Sequence, residues 1–89
     1  MFYVYVLESL RGGNLYIGFT SDLKKRLQEH NQGLNSSTRR YGKWRLIYYE
    51  AALSKPDAVR RESYLKTTQG GRLLKRRLKD YFYQKNLAD

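Results

Sequence analysis

The sequence contains no cysteine, and only 8 of its 89 residues are acidic. Without thiols, neither a disulfide framework nor a thiolate metal site can form, which fits a reducing compartment. No apolar run approaches the roughly 18 residues that a membrane-spanning helix needs, and no apolar segment follows a basic N-terminus as in a signal peptide. We therefore expect a cytoplasmic chain that does not associate with membranes.

The length of the chain favours one domain. At 89 residues it lies near the small end of what a single hydrophobic core can support, and it shows no internal repeat, low-complexity run or linker. We expect residues 1–89 to form one domain.

The charge of the chain is strongly one-sided. Eighteen Lys and Arg residues give a formal net charge of +10. Such a field concentrates polyanions, and nucleic acid is the commonest polyanion in a cell. Solubility or an acidic protein partner are the alternative explanations. The nine tyrosines support nucleic-acid binding because tyrosine stacks on bases, although tyrosine is also an ordinary β-sheet residue.

The first half of the chain predicts a hairpin, a helix and a third strand. The segments FYVYVLES and LYIGF have strand composition, and LRGGN between them supplies turn glycines. A helix is predicted from about Leu23 to His30, behind a cluster of N-cap residues at 20–22 and closed by Gly33. After a polar loop at 34–43, the segment WRLIYYEA predicts the third strand.

The second half predicts two further helices. One begins near Ser54 and is broken at Gly70 and Gly71, and the other covers RLLKRRLKDYFYQK. The resulting order is β-β-α-β-α-α. We therefore expect an α+β fold in which helices flank a small three-stranded mixed sheet.

Charged residues stand where the first helix should be apolar. At 100° per residue, Leu23 and Leu27 share one stripe with Arg26 and His30. Taken singly, His30 could be a hydrogen-bonded structural histidine, and Arg26 could extend its guanidinium to water.

The second helix has the same feature, because Glu62 lies between Ala58 and Leu65 on the apolar stripe. A buried unpaired carboxylate is costly, so Glu62 could pair with a nearby arginine, or the helix could be rotated to expose it. If both helices pack on the hairpin, however, Arg26, His30 and Glu62 converge on one sheet surface.

The strands would add phenols to that surface. By alternation, Tyr3 and Tyr5 share one face of the first strand, and Tyr16 and Gly18 share one face of the second. Arginine suits phosphate oxygens, one carboxylate can hold a divalent cation that keeps most of its waters, and a phenol or imidazole can relay a proton. The set of residues therefore indicates phosphate chemistry.

The order of these residues resembles that of the GIY-YIG nuclease superfamily, most closely its small stand-alone bacterial members. The segment Tyr16-Ile17-Gly18 is the literal second motif, and Val4-Tyr5-Val6 is a relaxed form of the first that keeps the tyrosine. Arg26, His30 and Glu62 follow in the family's order. The sequence departs from relatives that carry a polar residue on the helix after the glutamate, or a lysine just after the second motif.

The resemblance implies metal-dependent hydrolysis of phosphodiester bonds. Glu62 would be the sole protein ligand of one divalent cation, Mg²⁺ or Mn²⁺, and Arg26 would stabilise charge at the scissile phosphate. Tyr5 and Tyr16 would orient or deprotonate the water, with His30 in a supporting or base role, and Gly18 would allow close packing. The sequence does not choose the base among Tyr5, Tyr16 and His30.

The leading hypothesis is an endonuclease that acts on DNA and is directed by structure or by strand ends. The alternatives are a non-catalytic nucleic-acid-binding module on the same fold and a basic interaction protein for an acidic partner. A partner protein or a homodimer could supply target recognition. Half of the 18 basic residues lie between Arg60 and Lys85. The predicted nucleic-acid contacts are Lys24, Arg39, Arg40, Arg61, Arg72, Lys75, Arg76 and Lys79.

Overall fold

The computed structural model describes residues 1–88. Its strands are β1 (Phe2–Ser9), β2 (Leu15–Thr20) and β3 (Trp44–Ala52), and its helices are α1 (Leu23–Asn31), α2 (Lys55–Leu65), α3 (Thr68–Arg77) and α4 (Lys79–Ala88). A single 3₁₀ turn at Arg39–Tyr41 interrupts the loop before β3. The α+β class and the three-stranded sheet are confirmed.

The sheet is antiparallel throughout, so the prediction of a mixed sheet is wrong. Its strand order is β2-β1-β3, and β1 pairs in antiparallel fashion with both neighbours. The chain crosses from β2 to β3 through α1, so that these two strands run in the same direction. They do not pair with each other, however, because β1 lies between them and runs the opposite way.

The two faces of the sheet carry different layers. On one face, Val4 and Val6 are buried against Ala58 and Leu65 of α2 and against Leu74 of α3. On the other face, Tyr5, Leu7 and Trp44 pack with Leu23 and Leu27 of α1. Helices α1 and α2 therefore lie on opposite faces, and the expectation that both cover one sheet surface is wrong.

The C-terminal helices also differ from the prediction. Gly70 and Gly71 do not break a helix but lie in the first turn of α3, whose N-cap Thr67 accepts a hydrogen bond from the Gly70 backbone N–H at 3.0 Å. A Cβ built at Gly70 would overlap the Tyr64 carbonyl, so glycine here permits α3 to pack closely on the end of α2. The predicted final helix divides at Leu78 into α3 and α4.

Within residues 1–88, none of the helices has both the length and the apolar character needed to cross a membrane.

Candidate active site

The candidate site begins where β1 pairs with β2. Tyr5 lies opposite Gly18 in the antiparallel register, and a Cβ built at Gly18 would overlap the Tyr5 phenol. The tyrosine ring therefore crosses the neighbouring strand in the space that a side chain would otherwise fill. Only 2% of Tyr5 is exposed, so its hydroxyl needs a partner inside the protein.

His30 is that partner. It lies in the last turn of α1, is fully buried, and its Nε2 and the Tyr5 hydroxyl form a hydrogen bond of 2.9 Å. On the other side of the imidazole, Nδ1 is 2.8 Å from Oγ1 of Thr38. Both ring nitrogens are thus engaged, and the imidazole is held between a phenol and a hydroxyl.

Thr38 was not among the predicted site residues. It is fully buried, and its carbonyl accepts a hydrogen bond of 3.2 Å from Nε1 of Trp44. The indole thereby fixes the loop segment that brings the threonine to His30. In the sequence, Thr38 is one of several small polar residues of a loop, and no local pattern distinguishes it from Ser36 or Ser37.

Tyr16 completes the aromatic cluster. Its ring centroid lies 5.0 Å from that of His30 and 6.3 Å from that of Trp44, both at edge-to-face angles, and 6.4 Å from that of Tyr5. Such contacts orient the rings. The other predicted phenol, Tyr3, packs edge-on against Tyr49 at 6.0 Å instead.

Burial dominates the titration of the central pair. It raises the pKa of the Tyr5 hydroxyl, with Tyr16 adding to this effect, whereas Arg26 acts in the opposite direction. Burial likewise lowers the pKa of His30, and the positive charge of Arg26 lowers it further. The imidazole is therefore neutral at neutral pH, with one nitrogen able to accept a proton.

Arg26 lies at the rim of this cluster. Its side chain is 39% exposed, and its Nε is 3.5 Å from Oε1 of Glu29 one turn further along α1. Because the pair is partly exposed and its N–O distance is long, it holds the guanidinium only weakly. Arg26 can thus turn toward an anionic group that approaches the site.

Glu62 is half-buried on α2. One carboxylate oxygen lies 3.3 Å from Nζ of Lys66, the residue that follows α2, so its partner is a lysine and not an arginine. Helix α2 covers the other face of the sheet, and the charge of Glu62 makes only a minor contribution to the raised pKa of Tyr5, behind burial and Tyr16.

The Glu62 carboxylate suits a hydrated divalent cation. Among residues 1–88, no group of three or more His, Asp and Glu side chains is arranged to hold a metal ion. A single partly exposed carboxylate is, however, the kind of ligand with which Mg²⁺ keeps several of its waters. Glu62 is the residue that could hold it.

The predicted nucleic-acid contacts are distributed over separate surfaces. Arg39 and Arg40 line a cavity of about 600 Å³ together with Arg11 and Lys43, directly after Thr38 in the chain. Lys24 lines a smaller cavity beside Tyr3. Exposed positions on the C-terminal helices hold Arg72, Lys75, Arg76 and Lys79.

Arg61 differs from the other predicted contacts. Its guanidinium makes two hydrogen bonds to the Glu50 carboxylate, at 2.9 and 3.0 Å. This two-pronged ion pair joins α2 to β3. Arg61 is thereby committed to a contact within the protein, and we do not include it in a nucleic-acid surface.

The fold and this site define a small α+β domain of the nuclease type. A family model described as the GIY-YIG catalytic domain matches residues 1–72. A UPF0213 protein of Streptococcus agalactiae is 45% identical over 65 residues, covering 72% of this chain and 73% of the relative. A UPF0213 protein of Clostridium perfringens is 40% identical over 67 residues, covering 74% and 71%.

A solved structure agrees with these sequence matches. The solution NMR structure of a UPF0213 protein from Bacillus halodurans has a TM-score of 0.51 and 35% identity, covering 83% of this chain and 82% of that one. The chain therefore belongs to the GIY-YIG catalytic domain family, in its group of small bacterial UPF0213 proteins. The resemblance inferred from the sequence motifs is thereby confirmed.

Proposed function

We propose that the protein is a divalent-metal-dependent endonuclease that hydrolyses phosphodiester bonds of DNA. The observation that carries the proposal is the buried hydrogen bond of 2.9 Å between the Tyr5 hydroxyl and Nε2 of His30. A phenol is too weak a base to accept a proton from water unless its own proton can leave, and a neutral imidazole is a suitable acceptor.

The proton path follows from the two hydrogen bonds of His30. In the tautomer that carries its proton on Nδ1, that N–H donates to Thr38 Oγ1, and Nε2 accepts from the Tyr5 hydroxyl. Tyr5 takes a proton from the attacking water while its own proton passes to His30. The water oxygen bonds to phosphorus, the ester P–O bond breaks, and the leaving oxygen takes a proton from solvent water.

Two charged residues would act on the phosphate. Arg26, free to turn from its weak pair with Glu29, stabilises the negative charge that develops on the phosphate oxygens. Glu62 holds the cation, which when bound supplies Lewis-acid stabilisation of that charge.

The distribution of cations supports recognition by structure or strand end. Arg39 and Arg40 share their cavity with Arg11 and Lys43, and such groups bind phosphates without reading bases. A domain of this size touches few base edges, so the shape of the DNA decides where it binds. A homodimer or a partner protein could extend this recognition.

A non-catalytic nucleic-acid-binding module is the second candidate. It is favoured by the ion pair between Glu62 and Lys66, because that pair neutralises the only carboxylate assigned to the cation. Under this alternative the site residues would be retained for packing, and DNA would bind without being cut.

A cleavage assay separates the two candidates. Wild type and Glu62→Gln are incubated with single-stranded, duplex, flapped and branched DNA in EDTA, Mg²⁺ or Mn²⁺. We expect wild-type cleavage that requires metal and a loss of at least about 10³-fold in Glu62→Gln, because charge stabilisation at the phosphate is lost. Asp57→Asn is the matched control, since Asp57 is an exposed carboxylate on the same helix.

DNA binding is measured in parallel by anisotropy. Glu62→Gln should bind as tightly as wild type or more tightly, because one negative charge is removed. Undiminished cleavage by Glu62→Gln would remove that residue from the mechanism. Wild-type binding with no cleavage of any substrate under any metal condition would establish the binding module instead.

A further inference from the structure

A second cavity, of about 500 Å³, lies between the β1–β2 hairpin and the C-terminal helices. Most of its wall comes from residues beyond position 72, where the match to the catalytic domain ends. Its floor is Glu8 of β1, which shares the sheet face of Val4 and Val6. The cavity is therefore on the face opposite Tyr5, and the mechanism proposed above makes no use of it.

The floor of the cavity is a built structure. Glu8 is only 1% exposed, and its carboxylate accepts hydrogen bonds from the Tyr81 hydroxyl and from Nζ of Lys85, the latter at 2.6 Å. These contacts fasten α4 to β1. A Cβ at Gly13 would lie 2.7 Å from the same Nζ, so the turn glycine leaves the space through which Lys85 reaches Glu8.

The wall of the cavity has an excess of positive charge. Lys85 neutralises Glu8, which leaves the exposed ammonium groups of Lys75 and Lys79 at the cavity. No other acidic side chain lines it among the described residues. A ligand that settles here must therefore carry negative charge on at least one end.

The rest of the wall is aromatic and apolar. Phe82 is half-buried, whereas Tyr83 is 59% exposed and Leu15 is 44% exposed. An exposed tyrosine beside free lysines is the arrangement on which nucleic-acid bases stack while their phosphates meet cations. Ligand pockets span roughly 300–1,000 Å³, and this cavity lies within that range.

We propose that this cavity binds a nucleoside phosphate, with its base against Tyr83 and Phe82 and its phosphate between Lys75 and Lys79. A free mononucleotide and the terminal nucleotide of a DNA strand present the same chemistry. The site is separate from the catalytic residues, and the proposal does not depend on cleavage.

The test is calorimetric titration of the full chain in EDTA, with deoxyadenosine 5′-monophosphate, deoxyadenosine, inorganic phosphate and a 5′-phosphorylated trinucleotide as probes. We expect the mononucleotide or the trinucleotide to bind at least about tenfold more tightly than either deoxyadenosine or phosphate alone, since base and phosphate contribute together. Binding by the mononucleotide assigns a free nucleotide, and binding by the trinucleotide alone assigns a strand end.

Two variants guard against unspecific attraction to a basic protein. Lys75→Gln with Lys79→Gln should weaken binding at least about tenfold, whereas Lys25→Gln with Lys55→Gln, which removes the same charge at exposed positions that do not line this cavity, should leave it within about twofold. Tyr83→Ala should weaken the nucleotide but not phosphate. Equal losses in the two double variants, or equal affinity for phosphate and nucleotide, would overturn the proposal.

The failure of this proposal can be told from the failure of the nuclease proposal. Glu62→Gln should retain nucleotide binding, because Glu62 does not line the cavity. A protein that binds the nucleotide but cleaves nothing keeps this site and loses the nuclease. A protein that cleaves DNA but binds none of the probes keeps the nuclease and loses this site.

Discussion

The two faces of the sheet are built from the same strands but do different work. On the face of Val4 and Val6, the buried side chains of the core against α2 and α3 are apolar. On the face of Tyr5, the buried groups include a phenol, the imidazole of His30 and the hydroxyl of Thr38, joined in sequence by hydrogen bonds. Strand alternation places Tyr5 on the face opposite Val4 and Val6, and α1 and the following loop bring His30 and Thr38 to it.

The difference shows how a small domain can bury polar groups. An unpartnered buried hydroxyl or imidazole costs free energy, but each polar atom in this chain of contacts has a partner. Among residues 1–88, every buried side-chain nitrogen or oxygen has a hydrogen-bond partner. The core of Val4 and Val6 against α2 and α3 supplies stability by apolar burial, and the face of Tyr5 holds a defined geometry in which its buried polar groups are satisfied.

The largest effect is expected from a substitution in the apolar core between the sheet, α2 and α3. Leu65 is 1% exposed in the core between α2 and the sheet. Leu65→Ala should lower the free energy of unfolding by about 2–5 kcal/mol, because it removes buried methyl groups and leaves a cavity. Urea unfolding measures this, and Leu53→Ala is the control because Leu53 is 83% exposed. Similar losses in both variants would contradict the assignment of the core.

A smaller effect is expected at Gly18, where the lack of a side chain leaves room for the Tyr5 phenol. In Gly18→Ala the new methyl group overlaps the Tyr5 phenol, which should destabilise the fold by about 1–3 kcal/mol by overpacking and displace the hydroxyl from His30. Gly71→Ala is the control, because no atom lies within 4 Å of its built Cβ. A Gly18→Ala protein with wild-type stability and cleavage would show that the contact is unimportant.

Much of the fold could be predicted from the sequence. Local signals are sufficient for β1, β2 and α1: alternation and turn glycines mark the hairpin, and the N-cap Asp22 accepts from the Lys25 backbone N–H at 3.1 Å. Strand direction was not predictable in the same way. The residues of β3 show that it is a strand, but whether it pairs with β1 or β2 is decided by tertiary packing.

The site was predictable only in part for the same reason. The proximity of Tyr5, Tyr16 and His30 follows from the motifs and from helical periodicity. Thr38 reaches His30 only because Trp44 holds the intervening loop in place, and no short-range pattern encodes that. Gly70 and its neighbour predict a helix break locally, whereas the packing of Gly70 against Tyr64 depends on the position of α2, which local sequence does not encode.

The hydrogen bond between Thr38 and His30, which the sequence does not reveal, provides a sharper test of the face of Tyr5. Thr38→Val keeps the shape of the side chain but removes the hydroxyl that lies 2.8 Å from His30 Nδ1. We expect the cleavage rate constant to fall about tenfold with KM unchanged, equivalent to about 1.4 kcal/mol, because the imidazole loses its orientation. Thr38→Ser should restore the rate. An effect on KM alone would contradict the role of Thr38 in orienting His30.

The smallest expected effect concerns the protonation of the same imidazole. Burial, assisted by Arg26, lowers the pKa of His30 from its ordinary 6.5. The folded state therefore binds fewer protons than the unfolded state just below that pH, so the contribution of His30 to stability is complete above about pH 6.5 and is lost as the pH falls through the folded-state pKa.

The acidic groups of the other face titrate in a different window. Ion pairs lower the pKa of Glu50 and Glu8 below their ordinary 4.5 despite burial, so their contributions persist until the pH falls through those lower values. Free energies of unfolding measured between pH 7.5 and 5 should thus decline in wild type and stay flatter in His30→Gln. Cleavage should decline over the same interval, since protonated His30 cannot accept the proton of Tyr5. If the free energy of unfolding depended on pH equally in the two proteins, His30 would not be the buried neutral base on the face of Tyr5.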